Sequence, residues 1–350
     1  MALSSSSKGT VLVTGANGTV GSEIVSQILS TPELAAYHGI YTVRNKDNAP
    51  ALARALQSGA ATQAHSHVVI SLDLADLGSV RAVAKNISQQ VADDDIPPIR
   101  ALILNAGYLE FTRQSWTADG FDMTFASNYL GHWLLTLLLL RSMDRDTGRI
   151  VVVGSESHDP YNPKSKAAFN HERWMNFMDD VHGSGLIAKG TWSTSKEDPT
   201  FHSGFRRYGA SKFCQALMIP ELQRRLDTDP ALQNLCVLGV DPGSMPGNLT
   251  RRGPWIIRVF LFKLIMPWLA PLMAWFQPNG SLRTVKMGAA DIIAAALWRG
   301  KSPKGMYFYG SQISQVTPEA RDEKKKGRLW VDTVSYTQLQ AEETVLANWK

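Results

Sequence analysis

The chain has 350 residues, of which 44% are hydrophobic and 19% charged, with a formal net charge of +5. This composition sustains a sizeable buried core and excludes a disordered or disulfide-stapled chain. Lys and Arg are spread along the sequence without a basic stripe interleaved with aromatics, and the short cluster Asp322 to Arg328 reads as a solvated helix end, so no nucleic-acid partner is expected.

The first strand candidate, Thr10 to Thr14, runs into "TGANGTVG", a glycine loop that opens a helix near Val20 to Leu29. The spacing of Gly15, Gly18 and Gly21 is G-x-x-G-x-x-G rather than the common dinucleotide fingerprint, so the loop alone is weak evidence for a nucleotide. Further strands are expected at Ile40 to Val43, Val68 to Ser71, Ala101 to Leu104, Arg149 to Val153 and Leu235 to Val240. Helices are expected near Ala51 to Gln57, Gly78 to Val91, Phe121 to Met143 and Tyr208 to Leu226. Unbroken apolar strands such as "ALIL" and "RIVVV", alternating with helices, predict a doubly wound parallel α/β sheet in one domain.

Two stretches break the alternation. The polar, aromatic insertion 156–207 is too long for an ordinary loop and reads as a functional insertion or a mobile excursion. Within 244–285, Pro254 to Phe276 is apolar but carries Arg258, Lys263 and internal prolines. It reads as an apolar substrate lid, a membrane-surface contact or a subunit interface rather than a spanning helix. The run Leu134 to Leu140 is too short to span and reads as a buried or subunit-facing helix. Cys214 and Cys236 read as core thiols in a reducing compartment, and "MALSSSSKGT" has no apolar signal-peptide core. A cytoplasmic protein is expected, peripheral on a membrane if the apolar segment docks there; the sequons at Asn17, Asn86 and Asn248 would then be unused.

Chemistry is expected at the carboxyl ends of the strands, where open α/β sheets bind ligands. Tyr208 and Lys212 in "YGASK" lie one helical turn apart on one face, so the ammonium is placed to act on the phenol. Bringing a tyrosine from its ordinary value to working pH takes about three units, roughly 4 kcal/mol of preference for the phenolate. "RIVVVGSES" ends a strand with Ser155, able to donate to a substrate oxygen, and Ser157 is its rival. "LILNAG", "VISLDL" and "VLGVDPG" place Asn105, Ala106, Gly107, Asp73, Leu74, Pro242 and Gly243 at neighbouring strand ends. The eight histidines show no metal-ligand spacing, and no metal is expected.

Taken together, "TGANGTVG", Asp73, "NAG", "SNYLGHWLLT", the serine-bearing strand end, "YGASK" and "DPG" come in the order of a known family over about residues 8 to 250. The sequence resembles the short-chain dehydrogenases/reductases, with a flavour similar to the retinol-dehydrogenase-like branch and to reductases of fungal secondary metabolism. The resemblance implies a Rossmann fold and a nicotinamide cofactor. It implies Tyr208 as catalytic acid/base, Lys212 lowering its pKa and holding the ribose, Ser155 orienting the substrate oxygen, and Asn128 positioning a water that links Lys212 to solvent. Cofactor contacts are implied at Gly15, Asn17, Thr19, Val20, Gly21, Arg44, Asp73, Leu74, Asn105, Ala106, Gly107, Tyr208, Lys212, Pro242 and Gly243. Three departures stand out: Gly154 replaces the first serine of the usual pair, the insertion separates Ser155 from Tyr208, and Thr19 occupies a position usually held by glycine.

Arg44 follows the second strand, where an NAD-binding fold more often shows a carboxylate; a guanidinium there suits the 2′-phosphate of NADP(H). The expectation is an NADPH-dependent reductase of a carbonyl, or oxidant of the alcohol, on a fairly large apolar substrate, working as a homodimer or homotetramer. The alternatives are an isomerase or dehydratase of the same fold, or a non-catalytic nucleotide-binding regulator.

Overall fold

The computed structural model describes residues 8–58, 65–245, 282–297 and 303–350. Strands β1 (Thr10–Thr14), β2 (His38–Val43), β3 (His67–Ser71), β4 (Ile99–Leu104), β5 (Arg149–Val153), β6 (Cys236–Asp241), β7 (Tyr307–Tyr309) and β8 (Gln312–Ser314) form one sheet. Its order is β3-β2-β1-β4-β5-β6-β7-β8. All pairings are parallel except β7 with β8. The chain starts in the middle of the sheet and winds outward both ways, so the reversal between β1 and β4 opens a crevice at their carboxyl ends. The doubly wound parallel sheet expected from the sequence is therefore present.

Helices cover both faces, which is why the central strands are apolar throughout. On one side lie α1 (Thr19–Ser30), α2 (Pro50–Ser58) and, later in the chain, α6 (Val285–Leu297). Their Ile24, Val25, Ile28, Leu52, Ile292 and Ala296 pack on Val11, Val13, Ile103 and Val151. On the other lie α3 (Leu77–Ala92), α4 (Met123–Ser142), α5 (Phe201–Asp227) and α7 (Glu323–Thr337). Asp76, Asp122, Thr200 and Asp322 cap the first turns of these four with side-chain oxygens. The basic cluster at 322–328 is thus a helix start, as its composition implied. The Leu134 to Leu140 run is buried along its whole length inside α4, and Cys214 and Cys236 are free, buried thiols.

The insertion 156–207 is mostly irregular, with short helical turns at Glu156–His158, Glu172–Trp174 and Gly185–Ala188, and residues 201–207 already belong to α5; it makes its own aromatic layer. Trp192 lies 5.0 Å from Phe177 and 5.1 Å from Trp174, and Phe177 stacks at 4.7 Å on Phe213 of α5. Two buried arginines in the first turns of α5 tie the layer down. Arg206 donates to Ser193 Oγ, the Ala168 carbonyl and Asp198, while Arg207 donates to the Ser193 and Arg113 carbonyls beside the buried carboxylate of Asp122. Through these rings and arginines the segment is packed onto α5. The expectations for Pro254 to Phe276 fall outside the described residues.

Helix α4 is joined to β1 by a buried polar contact that is unusual in an otherwise apolar interface. The Asn128 carbonyl can only accept, so His132 Nδ1 carries the hydrogen that meets it at 2.9 Å; Nε2 is then the acceptor for the Thr14 hydroxyl at 2.9 Å. Thr14 Oγ1 in turn accepts the Asn105 and Ala106 amides at 2.9 and 3.0 Å. Burial holds the His132 pKa down to about 4. The folded state therefore binds its proton later than the unfolded chain, whose imidazole titrates near 6.5. The contribution of this contact is fully present above about pH 6.5 and is lost as the pH falls toward 4, an amount of roughly 3 kcal/mol. Thermal unfolding followed from pH 7.5 to 4.5 is expected to show a steep fall in Tm for the wild type and a shallower one for His132→Gln.

Candidate active site

Six strand ends, those of β1 to β6, carry residues that the sequence singled out. After β1 the chain turns at Gly15, whose φ of +68° and contact with Ala106 leave no room for a Cβ; one built there would lie 2.8 Å from the Ala106 Cα. Gly18 is the N-cap of α1 and contributes no side-chain cap to the amides of the first turn. Gly21 packs its Cα against the Gly15 carbonyl. Thr19 and Val20 form the first turn itself. Asn17 points elsewhere: its Oδ1 accepts from Ala51 N at 2.8 Å and Leu52 N at 3.2 Å, capping α2. It shapes the loop from behind.

Past β2 and β3, Arg44 and Asp73 approach to 4.0 Å with both side chains about half exposed, and the Arg44 guanidinium sits 5.7 Å from the Tyr108 ring. A cation, a carboxylate and an aromatic face are thus brought together past these two strands. Leu74 is buried, its carbonyl against Gly131 of α4. After β4, Asn105 staples the turn back to β1 through Nδ2 to the Thr14 carbonyl at 2.8 Å, leaving Ala106 and Gly107 at the crevice wall. After β6, Gly243 has φ +80° and donates its amide to Asp241 Oδ1 at 2.8 Å, which fixes the Pro242–Gly243 turn.

The reacting groups come together despite the insertion. The Ser155 side chain lies beside the Tyr208 hydroxyl, where its hydrogen-bonding influence acts on the phenol. Ser157 stands behind Ser155, donating its hydroxyl to Ser155 Oγ at 3.0 Å, and Ser155 N donates to Tyr307 Oη at 3.0 Å. Gly154 explains itself in the same place: a Cβ there would fall 2.0 Å from Tyr307 Oη, so the serine usual at this position does not fit beside a tyrosine on β7. Lys212 lies 5.6 Å from the Tyr208 ring and donates to the Val153 carbonyl at 2.8 Å and to Gln215 Oε1 at 2.9 Å.

The electrostatics differ from the sequence expectation in one respect. Tyr208 is pushed well above its ordinary value: burial dominates, the Ser155 hydrogen bond opposes it, and the charge of Asp241 adds to it. Lys212 gives its hydrogen bonds to the Val153 and Gln215 oxygens, and the upward push of burial on the phenol prevails. Burial lowers Lys212 itself to about 8, with Asp241 pulling the other way. Asp241 is raised to about 7 by burial, and its Oδ2 has no hydrogen-bond partner.

Asn128 sits in a π-turn of α4, Ala126–Leu130, a widened stretch common at functional positions. Its side chain clamps Tyr108 at both N and O, at 2.7 and 2.9 Å, and donates to Ser211 Oγ at 2.9 Å. Its carbonyl accepts from Gln215 Nε2 at 2.7 Å. Gln215 and Tyr307 are the two residues that the sequence reading missed. Gln215 was findable as the residue three after Lys212 on the same helix; Tyr307 belongs to a strand of only three residues. Beside the site a cavity of about 310 Å³ is lined by Glu156, Lys164, Asp241, Tyr307 and Tyr309 among others.

Comparison with known proteins agrees with this geometry. A family model described as short chain dehydrogenase matches residues 9–167. A short-chain dehydrogenase of Talaromyces variabilis, iccH, is 44% identical over 98% of this chain and 99% of its own length. Retinol dehydrogenase 11 of Mus musculus is 29% identical over 91% of this chain and 83% of its own. Among solved structures, a protein from Mycobacterium paratuberculosis superposes with TM-score 0.59 at 24% identity, covering 97% of this chain and 96% of that one. The angucycline C-6 ketoreductase LanV, solved with bound NADP, gives TM-score 0.53 at 16% identity over 87% and 96%. These last two likenesses show the fold alone, but with the full-length relative at 44% identity the chain belongs to the short-chain dehydrogenase/reductase family.

Proposed function

We propose that the protein is an NADP(H)-dependent oxidoreductase that reduces a carbonyl on a fairly large, largely apolar substrate, with Tyr208 as general acid. The observation that carries this reading is the meeting of buried Tyr208 and Lys212 with half-buried Ser155 at the carboxyl edge of the sheet. The glycine turn, the first turn of α1 and the Arg44–Asp73 pair fit a dinucleotide laid along the same edge.

A reduced nicotinamide, when bound, supplies the hydride to the carbonyl carbon. The chain supplies the rest. Ser155 donates to the substrate oxygen and holds it against the Tyr208 hydroxyl, and Tyr208 passes its proton to that oxygen as negative charge develops there. A phenol pushed upward by burial keeps this proton through neutral pH, the state a reductase needs. Lys212, part of the same buried cluster, holds the ribose and stabilises the phenolate left behind. Leu109, Phe111 and Phe201 form a small apolar cluster against Tyr208 and support an apolar substrate wall. Pro242 and Gly243 border the nicotinamide ring, and Arg44 takes the 2′-phosphate. A cytoplasmic place, contact with a membrane surface and a role in secondary metabolism remain part of this proposal, as does a homodimer or homotetramer.

Three outcomes are expected with NADPH and a panel of ketones and aldehydes, followed by reduced-nicotinamide absorbance. Tyr208→Phe should lose about 10²- to 10⁴-fold in kcat while still binding NADPH, as judged by cofactor fluorescence; unaffected turnover would sink the mechanism. Arg44→Ala should raise KM for NADPH roughly tenfold and leave that for NADH unchanged, since one charge-assisted contact is lost only with the phosphorylated cofactor. Thr19→Val should weaken both cofactors several-fold if the Thr19 hydroxyl meets the pyrophosphate; equal binding would mean the threonine is merely tolerated in the glycine position.

A further inference from the structure

We infer that Gln215 is a positioning residue of the reaction centre: its side-chain amide bridges the Lys212 ammonium to the Asn128 carbonyl and holds Lys212 in place beneath Tyr208. The inference rests on the role given to Lys212 under the proposed function.

The orientation of the amide is fixed from both ends. The Asn128 carbonyl has no hydrogen to give, so the Gln215 NH₂ group must face it, at 2.7 Å. The Lys212 ammonium has no lone pair, so the Gln215 oxygen must face it, at 2.9 Å. The two demands agree on one rotamer. Only an uncharged side chain with a donor and an acceptor at this reach satisfies both. Gln215 is 1% exposed and Lys212 4%, so neither end of the bridge can be replaced cheaply by solvent. The second ammonium contact, to the Val153 carbonyl at 2.8 Å, leaves one of three N–H directions for the cofactor ribose.

The family resemblance has Asn128 position a water that links Lys212 to solvent. Here a side chain of the catalytic helix itself joins the Asn128 carbonyl to Lys212, and an amide does not release a proton at working pH. Gln215 therefore fixes the ammonium without relaying protons to it. Its neutrality also matters. The titratable groups that act on Lys212 are Asp241 from β6, His132 from α4 and Tyr208 on its own helix. His132 is neutral above about pH 4, so Asp241 is the one carboxylate in the set and Gln215 adds a neutral acceptor to it.

The test uses the full-length protein and two variants of similar volume. Gln215→Met removes both bonds. Gln215→Glu keeps an acceptor toward Lys212, adds a negative charge and loses the donor to Asn128. The titration of Lys212 is read by NMR of ¹³Cε-labelled lysine in the cofactor-free protein, with the resonance assigned by Lys212→Arg. The midpoint is expected to fall by about one pH unit in Gln215→Met and to rise by about one in Gln215→Glu. The alkaline limb of kcat/KM should move in the same two directions. An unchanged Lys212 midpoint, or a shift of the same sign in both variants, overturns the inference, because a purely structural role predicts no such opposition. If Gln215→Met does not fold, the rise in Gln215→Glu decides alone. Should the NMR midpoints move as expected while even the wild type reduces no carbonyl, the proposed function fails and the positioning of Lys212 stands.

Discussion

Most of the site hangs on one residue that does no chemistry, Asn128. From the π-turn of α4 its side chain clamps the backbone of Tyr108, which fixes the turn after β4, and reaches Ser211 on the catalytic helix. Its carbonyl takes His132 on one side and Gln215 on the other. Through His132 the link runs to Thr14 and the start of the glycine loop, and through Gln215 it runs to Lys212. All these groups are uncharged apart from the ammonium and nearly all are buried, so each bond is made in a low dielectric where an unmade one costs about 1–3 kcal/mol. The dinucleotide crevice and the reacting groups are thereby held to a common reference inside the protein.

Burial also sets the charges. Tyr208 is kept protonated, Lys212 is brought down to about 8 and Asp241 up to about 7. The lysine and the aspartate thus approach one another's titration from opposite sides, and each favours the charged form of the other.

Much of this was legible in the sequence because it is written in short-range terms. Apolar runs such as "RIVVV" marked strands covered on both faces, and small or polar residues at their ends marked the crevice. Tyr208 and Lys212 were readable from helical spacing, and Gly15 from a turn that only glycine makes. The rest depends on contacts distant in sequence. β7 and β8 have three residues each, too short for a pattern of period two, and so Tyr307 and its exclusion of a side chain at position 154 went unseen. The insertion could not be told from a mobile excursion because its order comes from aromatic rings and buried arginines rather than from repeating hydrogen bonds. Gln215 is an unremarkable helix residue until the carbonyl of Asn128 is known to face it. The upward push on Tyr208 was missed for the same reason, since spacing reports the neighbour and not the depth.

The same insertion bears on how the site comes into being. Ser155 ends a strand, Tyr208 lies in the third turn of a helix, and the whole aromatic layer is strung between them, anchored by Arg206 and Arg207 immediately before Tyr208. Closing so long a loop costs entropy that is recovered only once the layer has packed. The glycine turn is built from β1 and the turn after β4 and needs no such closure, whereas the approach of Ser155 to Tyr208 depends on the whole layer being packed.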